Sequence, residues 1–158
     1  MKLSNITVDV TTAGLLTGDE YDVIGVPGTE EQLSKLGTVA LGEVWTVSRY
    51  RDESCGLIRY MPPYKGFSRF EKALESSITK CVIVADRNEY HALAISLCDY
   101  SRLSVDKRQF FEDIFEGLNN AVANVRCLKK VILIAQNADV QISLRNHIET
   151  HSEAAHHV

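Results

Sequence analysis

CVIVADRNEYH, residues 81–91, sets five apolar residues directly against Asp86, Arg87, Asn88, Glu89 and His91. VILIAQNADVQ, residues 131–141, repeats the form with Gln136, Asn137 and Asp139. A carboxylate beside an imidazole suits general acid–base chemistry or metal ligation, and amide side chains suit the orientation of a ligand. If both apolar runs are parallel strands of one sheet, their carboxyl ends open on a shared edge, where open α/β sheets bind ligands. Asp86 would then be a base or metal ligand, His91 an acid, and Asn88 and Asn137 orienting groups, with Gln136 as a further ligand-binding residue on that edge. The plainer alternative is capping: Asn88 and Asn137 are good helix N-caps, and Asp86 simply ends a strand.

Other chemistry has less support. There is no GxGxxG, GxxxxGK[ST] or GxSxG pattern, and Gly25-Val26-Pro27-Gly28-Thr29 reads as a turn. His147 and His151 stand four apart, and His156 and His157 follow, but no carboxylate or cysteine is clearly aimed at them. No metal site, catalytic residue or cofactor is therefore assigned. Cys55, Cys81, Cys98 and Cys127 are widely spaced without a CxxC pair, which fits free thiols in a reducing cytoplasm.

The most unusual composition is RYRDESCGLIRYMPPYKGFSRF, residues 49–70. Arg49, Arg51, Arg59 and Lys65 interleave there with Tyr60, Tyr64 and further aromatics. Such a mixture serves protein-interface hot spots and nucleic-acid stacking. It also fits a hairpin whose aromatics pack inward. The formal net charge of −4 argues against a general nucleic-acid binder. The charge is uneven, with two lysines against seven acids in residues 1–45 and seven basic residues against four acids in residues 46–80.

These groups must be positioned by a chain of 158 residues, 45% hydrophobic and 24% charged, which is expected to form a single domain, 1–158, with 151–158 a frayed tail. The longest aliphatic run, residues 131–135, is too short to span a membrane, and MKLSNITVDV lacks the apolar core of a secretory signal. A cytoplasmic protein is expected. SNITVDVTT and YDVIGV alternate as strands. Thr29-Glu30-Glu31-Gln32 has capping-box form and predicts a short helix to about Lys35. Residues 39–50 and 55–60 predict a hairpin. Phe67, Phe70, Leu74 and Ile78 fall at helical spacing, and Cys81–Ala85 reads as a buried strand. Residues 89–100 suit a helix slightly better than a strand. Ser104 is placed to cap a long helix, residues 131–135 form a strand, and Asn137 or Asp139 caps a last helix. The fold class is α/β, a mixed sheet with N-terminal hairpins and helices packed on it, with α+β as the alternative.

From residue 43 onward this order resembles the STAS family, the anti-sigma-factor antagonist fold. The likeness runs through GEVWTV, CGLIRY, FSRFEKALESSI, CVIVAD and VILIAQ. In that family a buried strand leads to a D-S-[ST]-G turn carrying the phosphorylated residue. Here the matching position reads Asp86-Arg87-Asn88-Glu89, so no site residue is carried over. The resemblance implies a non-enzymatic regulatory domain; the function expected is a regulatory or interaction domain working through a protein partner or a second copy of itself, and the basic-aromatic composition makes Arg49, Arg51, Arg59, Tyr60, Tyr64 and Lys65 its contact surface. The alternative is a small-molecule or nucleotide-binding protein, or a hydrolase, that uses the edge around Asp86 and Asn137.

Overall fold

The computed structural model describes residues 1–36, 40–47, 55–66 and 72–156. Strands β1 (Lys2–Leu3), β2 (Ile6–Thr12) and β3 (Val23–Pro27) precede helix α1 (Glu30–Leu36). Strands β4 (Val44–Val47) and β5 (Gly56–Tyr60) follow, then α2 (Ala73–Arg87), β6 (Ala92–Ser96), α3 (Lys107–Val122), β7 (Lys130–Ala135) and α4 (Ala138–His156). The seven strands form one sheet in the order β1-β2-β7-β6-β3-β5-β4. The five central strands are parallel, and only the edge strands β1 and β4 run antiparallel. This is the mixed α/β sheet that the sequence predicts. The β4–β5 hairpin forms as expected. At the N-terminus β1 and β2 form a hairpin, whereas β2 and β3 do not pair, because β7 and β6 lie between them.

The apolar pattern explains the layers. Ile6, Val8 and Val10 of β2 alternate into the main core, as do Val131, Leu133 and Ala135 of β7. They meet Leu74, Ile78 and Cys81 of α2, Ile114 and Leu118 of α3, and Leu144 and Ile148 of α4. On the other face Ala94, Ile132 and Ile134 pack beneath Leu16, Tyr21 and Ile24.

Two elements differ from expectation. Residues 81–85 are not a strand; they are the last turns of α2. Leu74, Ile78, Cys81, Val82 and Ala85 recur at helical spacing and are all buried, so burial of that stripe outweighs the strand preference of a β-branched run. The helix then ends in a Schellman motif. The N–H of Tyr90 donates to the Ala85 carbonyl at 3.1 Å, and that of Glu89 to the Asp86 carbonyl at 3.0 Å. Glu89 takes the left-handed conformation this requires, at φ 63°. The next residues, 92–96, are therefore free to become a central strand rather than a helix. Caps divide similarly. The Thr29–Gln32 box forms, with bonds of 2.8 and 3.0 Å. Asp106, not Ser104, caps α3 by accepting the N–H of Gln109 at 2.8 Å, while Ser104 donates to the Pro63 carbonyl.

One buried acid in α3 makes stability depend on pH. Asp113 is 3% exposed. Its Oδ1 accepts a 2.7 Å bond from Gln109, and its Oδ2 has no partner among the described residues. Burial pushes its carboxyl from 3.8 up to about 6, against the Gln109 bond and with help from Glu75 and Glu112. The folded chain thus holds this proton more tightly than the unfolded chain. Its contribution to stability is complete below pH 3.8 and is lost as pH rises through 6. Asp113→Asn is expected to flatten that slope and to raise stability at pH 7 by about 1 to 2 kcal/mol, read from urea unfolding at several pH values.

Candidate functional site

The parallel strands β2, β7, β6, β3 and β5 all end on one edge of the sheet, and their following loops gather there. Between the loop after β6 and the start of α4 lies a cleft of about 310 Å³. Its polar lining includes Asp99, Ser101, Lys107, Gln136, Asn137 and Asp139, and Leu97, Cys98 and Phe110 form its apolar floor.

Strand ends hold this lining in place. The β6–β7 register pairs Ser96 with Ile134, and the N–H of Leu97 donates to the Ile134 carbonyl at 3.0 Å. Gln136 Nε2 donates to the Leu97 carbonyl at 2.6 Å and ties the two loops together. Asn137 caps α4 by accepting the N–H of Val140 at 3.0 Å. Asp99 accepts the N–H of Ser101 at 3.0 Å and opens a 3-10 turn, Tyr100–Arg102. Behind the cleft, Tyr60 donates to the Ser96 carbonyl and Tyr64 to the Gly28 carbonyl, both at 2.6 Å. Tyr64 Oη also lies 3.6 Å from Cys98 Sγ.

Charge follows from these contacts. The backbone N–H and hydroxyl of Ser101 hold the Asp99 carboxyl below its ordinary value, against a small desolvation effect, so Asp99 is ionised at neutral pH. Burial pushes the Cys98 thiol up, beyond what its tyrosine neighbours offset, so it is not a thiolate. Arg102 is drawn away to Glu30 by an ion pair and covers the Tyr64 ring at 5.7 Å.

The expected site residues divide between the two ends of the sheet. Gln136 and Asn137 stand at the cleft, with Asp139 beside them. Asp86, Asn88 and His91 lie at the opposite edge, because α2 continues through residues read as a strand and delivers them to the start of β6 and β7. There Asp86 Oδ1 accepts the N–H groups of Arg126, Cys127 and Leu128 at 2.9, 2.7 and 2.9 Å. Asn88 bonds the Val84 carbonyl at 2.8 Å and ends the helix. The backbone N–H of His91 donates to Asp22 at 2.9 Å, and its Nδ1 lies 3.1 Å from the Cys127 carbonyl. The constellation of Asp86 and His91 with Asn137 is not assembled. Residues 97–102, which supply half the cleft, were obscured by reading residues 89–100 as a helix. Their polar run Asp99-Tyr100-Ser101-Arg102 after an apolar stretch is the signal that a strand reading would have exposed.

The basic-aromatic surface is corrected too. Tyr60 and Tyr64 are 0% and 4% exposed, with both hydroxyls bonded inside the fold, so they cannot anchor a partner or a second copy. Arg59 lies on β5 opposite Trp45, and Lys65 is exposed just beyond Tyr64. Arg49 and Arg51 lie outside the described residues. His147 and His151 stack ring on ring, with centroids 3.9 Å apart, against Phe111 and Phe115. Among the described residues no three His, Cys, Asp or Glu side chains gather to hold a metal, and no helix is long and apolar enough to cross a membrane.

No protein-family model matches the sequence, and no curated protein does. Solved structures do match the fold. The Oceanobacillus iheyensis macrodomain with ADP is 11% identical, with a TM-score of 0.72 over 98% of this chain and 96% of that one. The Trypanosoma brucei macrodomain in complex with ADP is 10% identical, with a TM-score of 0.66 over 91% and 69%. The macro domain of ganglioside induced differentiation associated protein 2 is 13% identical, with a TM-score of 0.62 over 89% and 81%. These likenesses overturn the STAS resemblance, whose order of elements depended on a strand at residues 81–85 that is a helix. The chain shares the fold of the macrodomains, a mixed seven-stranded sheet with its helices packed on it.

Proposed function

We propose that the protein binds a small molecule of the adenine-nucleotide class in the cleft between the loop after β6 and the start of α4. The carrying observation is that cleft, at the carboxyl ends of parallel strands, in a fold whose solved examples include macrodomains with ADP or ADPR. Gln136, Asn137, Asp99, Ser101 and Lys107 provide the polar contacts, and Leu97 and Phe110 provide an apolar floor for a ring. This reading replaces the protein-partner role. All four cysteines are free thiols, two of them buried, which suits a reducing compartment such as the cytoplasm.

Ser101 is exposed at the cleft wall, so Ser101→Trp fills the cleft without disturbing the core. Calorimetric titration with adenosine, ADP and ADP-ribose is expected to show binding by at least one of them. Ser101→Trp should weaken that binding at least tenfold, about 1.4 kcal/mol, with the unfolding midpoint unchanged. Failure of all three ligands to bind, or undiminished binding to Ser101→Trp, would refute the reading.

A further inference from the structure

The seam between α3 and α4 carries two histidines that the cleft does not use. His147 and His151, one turn apart on α4, stack with ring centroids 3.9 Å apart and planes 25° from parallel. His147 packs on Phe111 at 5.9 Å and on Phe115 at 6.3 Å, and His151 packs on Phe115 at 5.4 Å. His151 Nδ1 donates to the His147 carbonyl at 2.8 Å. His147 Nε2 is buried and has no hydrogen-bond partner among the described residues. Such a seam suits two neutral rings. A proton added to His147 would set a charge among phenylalanines, face to face with a second imidazole.

The surroundings offer that charge little compensation. Burial first, and then His151, hold the His147 imidazole below its ordinary 6.5, against Glu112. Glu112 is itself drawn to Arg108 at 3.1 Å, and Lys107 sits over the Phe111 ring, 5.8 Å from its centroid. One turn away along α4 stand Ser143, Leu144, Thr150 and His151, none of them acidic. The strands packed against α4 bring Lys2 of β1, Asp9 of β2 and Lys130 of β7, and the one acid among them, Asp9, is held by Arg145 at 3.4 Å. The folded chain therefore binds a proton at His147 more weakly than the unfolded chain. This costs nothing above pH 6.5, and stability is lost as pH falls below it.

The seam reaches the cleft through a row of rings. Phe111 lies 6.0 Å from Phe110, and Phe110 lies 5.8 Å from Tyr100. Tyr100, Lys107 and Phe110 line the cleft, as does Val140 of α4. We infer that the His147–His151 stack is a pH-sensitive clasp: with neutral rings it holds α4 against α3 and keeps the cleft in its binding shape, and protonation of His147 in mild acid parts the two helices and weakens ligand binding. The coupling to binding rests on the reading of the cleft as a nucleotide site; the clasp itself does not.

Urea unfolding and calorimetric titration with ADP-ribose, each at about pH 7.5 and about pH 5.5, test it on the parent and on His147→Phe, which keeps an aromatic ring in the seam and takes no proton. On acidification the unfolding constant of the parent is expected to rise about fivefold more than that of His147→Phe. ADP-ribose affinity should fall about fivefold in the parent and stay within about twofold in the variant. Asp113 titrates in the same range with the opposite sign, but it is common to both chains and cancels in the comparison. His151→Gln, at the exposed end of the stack, keeps a side-chain donor and removes the second imidazole. It should raise the midpoint of the His147 ring signal in a proton NMR titration and roughly halve the pH effect on stability, a check that stands even if His147→Phe does not fold. Equal pH slopes of stability in the parent and both variants would overturn the clasp. A smaller slope in the variants beside a parent affinity that ignores pH would overturn the coupling. If ADP-ribose binds at neither pH, the cleft reading and the coupling fall together, and the unfolding slopes still decide the clasp.

Discussion

Replacing Gly117 with valine is expected to cost about 4 kcal/mol of stability, and replacing it with alanine about 2 kcal/mol. Gly117 lies in α3 where that helix crosses α2. A Cβ there would stand 2.7 Å from Ile78 Cβ and 2.8 Å from the Glu75 carbonyl oxygen. The second contact is with backbone, so the clash cannot be relieved by a side-chain rotation. The helices would have to separate, stretching the 2.8 Å bond by which Thr79 Oγ1 donates to the Gly117 carbonyl. Alanine should otherwise favour a helix over glycine by about 1 kcal/mol, and the crossing is expected to reverse that sign. Urea unfolding of the two variants measures it, and a stabilising Gly117→Ala would show that the helices do not approach this closely.

Asp86→Ala is expected to lose about 2 kcal/mol, close to the alanine cost at Gly117 but by an unrelated route. Three consecutive N–H groups, of residues 126–128, lose their common acceptor and must find water. Partial burial pushes the Asp86 carboxyl up, but the N–H groups of Leu128, Cys127 and Arg126 outweigh it and hold it below its ordinary value. The folded chain therefore binds this proton more weakly than the unfolded chain. The stability it adds is present above the ordinary carboxylate range and is lost as pH falls through the depressed value. Asp86→Ala should destabilise at pH 7 and show a shallower loss on acidification than the parent. Asp86→Asn keeps an acceptor and should cost about half as much. Ligand binding at the far edge should be unaffected by either. A loss of binding without a loss of stability would return Asp86 to the site.

The contrast between Asp86 and Asn137 shows how the site could be half read. Both follow five apolar residues, and both read as polar strand ends. Residues 131–135 are hydrogen-bonded in parallel register between β2 and β6 and form β7. Residues 81–85 continue a stripe that begins at Leu74, and burial of that stripe keeps them helical. A five-residue apolar run contains too little periodicity to separate the cases. The error moved Asp86, Asn88 and His91 to the wrong end of the sheet, and it hid β6 and with it Asp99 and Ser101. The aromatic segment failed for a different reason. Tyr60 and Tyr64 look like interface anchors by composition, but each hydroxyl finds a carbonyl inside the fold, Ser96 and Gly28, thirty-six residues away in sequence.

What the sequence determined by itself was local. The mixed α/β class, the Thr29–Gln32 box, the β4–β5 hairpin, β7 and the cap at Asn137 each depend on residues a few positions apart, through hydrogen bonds and side-chain alternation that the chain carries within itself. Tertiary structure alone decided which strands became neighbours, on which edge each polar loop emerged, and which charges came to face one another. Those depend on burying a shared apolar surface among segments far apart in the chain. The cleft is such a product: Asp99 and Asp139 come from different loops and line one cavity only because β6 and β7 pair in parallel register.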